Sequence, residues 1–88
     1  MPQHKHEFVE AYTGMVGYGL DRPTDEATVQ VYLQKFSDDD LMARLLPRMQ
    51  PGELDQVFEL ISHLLRQHLS EEEYHQVFLK DPNHHHGF

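Results

Sequence analysis

Residues 23–36 read PTDEATVQVYLQKF, and the class of the whole fold turns on them. Val29, Val31 and Leu33 alternate as they would along a strand, whereas Val29, Tyr32, Leu33 and Phe36 share one face of a helix. Thr24 reads as an N-cap, and Asp25 and Glu26 behind it set carboxylates at the positive end of the helix dipole. No other segment offers a strand partner. The stretch is expected to be helical and the chain all-α, a single small bundle of four to five short helices.

Upstream, Phe8, Tyr12, Met15 and Val16 recur at helical spacing and predict a helix from about His6 to about Val16. Gly14, Gly17 and Gly19, followed by Pro23, mark a loop after it. The loop matches neither a P-loop nor a dinucleotide fingerprint, so it is expected to be structural.

Downstream, Ser37 reads as an N-cap with Asp38, Asp39 and Asp40 in the first turn, and Pro47 should end that helix near Leu46. A calcium loop starting at Asp38 would need glycine at its sixth position and glutamate at its twelfth. Ala43 and Met49 stand there, so capping explains the aspartates.

The strongest helix starts at Pro51, with Glu53 in its first turn. Leu54, Val57, Phe58, Ile61, Leu64, Leu65 and Leu69 fall within an arc of roughly 140°, a wide stripe expected to face the core. His68 lies inside the arc and His63 almost opposite it. Continued through Ser70, the helix would carry Tyr74, Val77 and Phe78 on its far side. A break at Ser70, which heads a capping box with Glu73, is therefore expected. The alternative is one continuous two-faced helix whose Tyr74 and Phe78 contact another chain.

The sequence has 88 residues, enough for one small domain. We expect a helical domain over residues 1–80 and a histidine-containing tail over 81–88. The absence of cysteine rules out disulfides, thiolate metal sites and a cysteine nucleophile. No run is long and apolar enough for a signal peptide or a membrane span, so a soluble, cytoplasmic protein is expected. Fifteen acidic residues against seven basic ones give a net charge of −8. That sign opposes nucleic acid and anionic membrane surfaces as partners. A helix-turn-helix around "PRMQPG" fails on the same ground, because its second helix would present Glu53, Asp55 and Glu59 against Arg66.

Catalysis has little to build on. Ser37 and Ser70 read as caps, and Ser62 and His63 are adjacent on a helix, too divergent to form a nucleophile–base pair. No enzyme is expected. For metals, Glu72 and His75 stand at the spacing of di-iron bundles, but no second Glu-x-x-His exists. The pair is expected to lie on the surface. Glu10 with His6 and Glu59 with His63 are further one-turn pairs, and His68 is expected to be a hydrogen-bonded core residue. Eight histidines could offset the negative charge on acidification, but they are expected to titrate without consequence.

The function expected is that of a small acidic protein-interaction or regulatory module: an adaptor, subunit or inhibitor. Its partner would be another protein, or a second copy in a homodimer, and no cofactor is required. Candidate interface residues are those left over after core formation: Tyr74, Phe78, Leu79 and Phe88. Each could instead belong to the core, and for Phe78 the core is the favoured assignment. The alternative is a transition-metal binding or delivery protein. It would hold Ni, Cu or Zn on His84, His85 and His86, joined by His4 and His6 if the termini meet. Pro82 disfavours helix at Asp81, which places these histidines on a non-helical tail unlike the usual longer purification tag.

Overall fold

The structure is a computed structural model that describes residues 4–81. All regular structure among the described residues is helical. The helices are α1 (Glu7–Ala11), α2 (Arg22–Phe36), α3 (Asp39–Leu45), α4 (Pro51–His68) and α5 (Glu71–Glu73). A 3₁₀ turn, Leu46–Arg48, follows α3, and α5 runs on as a π-helical turn over Tyr74–Phe78. The all-α class is the one expected, and the ambiguous stretch lies inside α2. No helix among the described residues is long and apolar enough to cross a membrane. The chain divides into two compact units, Lys5–Arg48 and a second that starts at Met49.

In the first unit α2 is the organising element, and its start differs from the expectation. Asp21, not Thr24, is the N-cap: its Oδ1 accepts from the Thr24 N–H at 2.8 Å. That hydrogen bond holds the Asp21 carboxyl below its ordinary range. Pro23 sits within the first turn, where its missing N–H costs nothing. The inward face also differs. Val29, Tyr32, Leu33 and Phe36, the apolar face read from the sequence, are exposed. Thr28 and Val31 are buried instead, with Thr24, Ala27 and Gln34 half-buried beside them.

The reason is polar pairing. The Thr28 Oγ1 accepts from the Gly17 N–H at 3.0 Å and donates to the Gly17 C=O at 3.2 Å. The Gln34 Oε1 accepts from the Val9 N–H at 2.9 Å. These bonds lay α1 and the glycine loop across that side of α2. Asp25 adds a third tie, accepting from the Gly19 N–H at 2.7 Å, and Gly19 has φ 95°, a conformation that glycine adopts without strain.

Helix α1 stops at Ala11, short of the expected Val16. Tyr12 turns back, stacks on Phe8 with ring centroids 5.0 Å apart, and donates its hydroxyl to the Met15 C=O at 2.9 Å. A side chain at Gly14 would collide with that ring. At α3 the cap is Asp38, one residue past the expected Ser37, and its carboxylate accepts from the N–H groups of Asp40 and Leu41. Ser37 closes α2 instead, donating its N–H to the Leu33 C=O. Helix α3 ends at Leu45, before Pro47, as expected.

In the second unit α4 starts at Pro51 and Glu53 reaches back, its Oε1 accepting from the Gln50 N–H at 2.8 Å. It stops at His68, and the chain restarts at Ser70, where the expected capping box is formed. The π-helical turn closes with the Leu79 N–H donating to the Tyr74 C=O at 3.0 Å, and Lys80 leaves it at φ 57°.

Candidate protein-interaction surface

Helix α4 carries an exposed apolar face in the second unit. Leu54, Val57, Phe58, Ile61 and Leu64 are all exposed, Phe58 to 72 %. The sequence expectation that this stripe faces a core is corrected here. Periodicity shows that a helix face is apolar, but not what covers it. Among the described residues of this unit the short α5 segment follows, and its Tyr74 meets the C-terminal end of α4. Leu65 and Leu69 are half-buried there, in an open cleft lined also by Ser62, Arg66, Ser70, Glu71 and Tyr74. His68, expected in the core, is exposed because it belongs to the open stripe.

The residues nominated from the sequence fall nearby. Tyr74 is half-buried and stacks on Phe78 with centroids 5.3 Å apart. Phe78 is 43 % exposed, which corrects its core assignment, and Leu79 is exposed as well. The π-helical turn explains the change of phase. Its wider winding carries His75, expected on the surface, to a buried position at 5 % exposure, with its ring edge-on to Tyr74 at 5.6 Å. Glu72, the supposed partner of His75, accepts a hydrogen bond from the Gln76 side chain at 3.4 Å. Phe88, His84, His85 and His86 lie outside the described residues.

No family model, curated protein or solved structure matches this chain.

Of the other candidate ligands, His4 and His6 are exposed, and the His6 Nε2 lies 2.7 Å from the Ser37 Oγ. Among the described residues no three His, Asp or Glu side chains converge on a point where an ion could sit. Two further concavities among the described residues face solvent. One lies along α2 between Tyr18, Arg22, Glu26 and Leu33, and another between His6, Glu10 and Asp38. In the first, Arg22 and Glu26 form an ion pair at 2.6 Å on exposed side chains, an arrangement that contributes little to stability.

The α4 stripe is the signal most visible in the sequence, and the exposure of Leu54, Val57, Phe58, Ile61 and Leu64 is what periodicity does not disclose.

Proposed function

We propose that the chain is a small acidic helical module that works by protein–protein contact, as an adaptor, subunit or inhibitor, and not as an enzyme. The observation that carries this reading is the exposed run of Leu54, Val57, Phe58, Ile61 and Leu64 along one face of α4. Contiguous apolar surface of this kind, rimmed by charged residues, marks association sites. Aromatic and aliphatic anchors in such a patch supply most of the binding energy once they are desolvated. Phe58 is the natural anchor, as the most exposed apolar side chain of the stripe. Glu53, Asp55 and Arg66 form the polar rim.

Site-specific photo-crosslinking tests this. A photoreactive phenylalanine replaces Phe58 in one variant and Gln56, on the opposite face, in another, in cells that express the chain natively. The expected result is a discrete protein adduct from position 58, absent from position 56 and lost when Leu64→Asp is added. Equal adduct patterns from both positions would refute the proposal.

A further inference from the structure

The charges along α4 are segregated by position in a way that its apolar stripe alone does not require. Glu53, Asp55 and Glu59 occupy the N-terminal half, while His63, Arg66 and His68 occupy the C-terminal half. At about 100° per residue, Asp55 and Arg66 lie about 100° and about 120° from Leu54, so both border the same edge of the stripe. The opposite edge carries Glu53, Leu60 and Gln67, at about 220° to about 260°. Neither Asp55 nor Arg66 forms an ion pair with any described residue.

We propose that the occupant of this face is a second copy of the same chain, with the two α4 helices packed antiparallel across a two-fold axis near Leu60 and Ile61. This rests on the protein-interaction reading above and names its partner.

A two-fold axis perpendicular to the helices lays each edge of the stripe against its own copy. Asp55 then comes level with Arg66 of the other chain, at the mouth of the open cleft that Arg66 lines with Glu71 and Tyr74, and the symmetry makes that pair twice. Val57 comes level with Leu64, and Leu60 with Ile61. The antiparallel arrangement sets each helix dipole against its opposite. A parallel pair does the reverse. It brings the Asp55 edge against the Glu53 edge at equal height, carboxylate against carboxylate, and leaves Arg66 beside Gln67. The charge pattern therefore selects orientation.

The net charge of −8 on each copy opposes association at low ionic strength. Salt at about 0.1 M confines that repulsion to about 10 Å, while the seam contacts are shorter. A single pair of 18-residue helices forms a small interface, which places the dissociation constant on the order of micromolar.

The test is sedimentation equilibrium of the full chain with Asp55→Arg, Arg66→Asp and the double exchange, with circular dichroism confirming unchanged helicity. Both residues are on the surface, so the variants fold. The expected result is a dimer in which each single exchange weakens association about tenfold, through two lost pairs and two repulsions, and the double exchange restores it. A strict monomer at millimolar concentration would overturn the proposal, as would a dimer that the double exchange fails to restore. A monomer that still crosslinks through position 58 to a different protein would sink the second copy and leave the interaction module standing. A monomer without such an adduct would sink both.

Discussion

Ser70 and Glu73 satisfy each other's backbone: the Ser70 Oγ accepts from the Glu73 N–H at 3.1 Å, and the Glu73 Oε1 accepts from the Ser70 N–H at 2.8 Å. This reciprocal pair separates α4 from α5. It turns the chain so that Tyr74 folds back towards Leu65 and Leu69, instead of continuing along the far side of one long helix.

Replacing Ser70 by alanine removes the hydroxyl acceptor. Loss of such a cap costs about 1 kcal/mol. The expected outcome is faster hydrogen exchange at the Glu73 amide and a lower urea midpoint, while Ser70→Asp retains both values.

Thr28 and Gly17 predict a larger effect. The Thr28 side chain is 5 % exposed and holds both polar groups of Gly17. Thr28→Val keeps the shape but leaves those groups without their partner, at a cost of about 1–3 kcal/mol. Thr28→Ser keeps the hydroxyl and should recover most of the loss. Chemical denaturation of the three proteins checks the order.

Asp21 predicts a pH dependence. Its hydrogen bond from Thr24 favours the carboxylate, so its folded pKa lies below the unfolded value. Its contribution is therefore full above the ordinary carboxylate range and is lost as pH falls through the folded pKa. Asp21→Asn keeps a capping oxygen but should remove this part of the acid dependence, whereas Asp21→Ala should lower helicity at every pH. Circular dichroism during acid titration distinguishes the three.

The elements that the sequence disclosed share a physical origin. The break at Ser70, the α4 start at Pro51 and Glu53, and the stop before Pro47 are set by side-chain to backbone bonding within a few residues. Helix α2 was legible as a helix for the same reason. Its buried face was not, because Thr28 is polar and its partner Gly17 lies eleven residues away. A search for apolar periodicity selects Val29, Tyr32, Leu33 and Phe36, the exposed side. The cap positions slipped to Asp21 and Asp38 because several adjacent residues are competent caps and the geometry of the preceding turn decides among them. His75 and Phe78 exchanged environments because a π-helical turn rotates side chains out of the 3.6-residue phase. The α4 stripe was legible as apolar, but periodicity does not disclose what covers a helix face, and Leu54, Val57, Phe58, Ile61 and Leu64 are exposed.

On the proposed reading Phe58 belongs to an association surface and not to the core. Urea unfolding of Phe58→Asp, at dilution below the range of association, tests this most directly. The expected result is a midpoint and slope unchanged to within about 0.5 kcal/mol of stability, as for other surface substitutions, together with loss of association at high concentration. Destabilisation of about 3–5 kcal/mol, the cost of disrupting a buried phenylalanine, would contradict it.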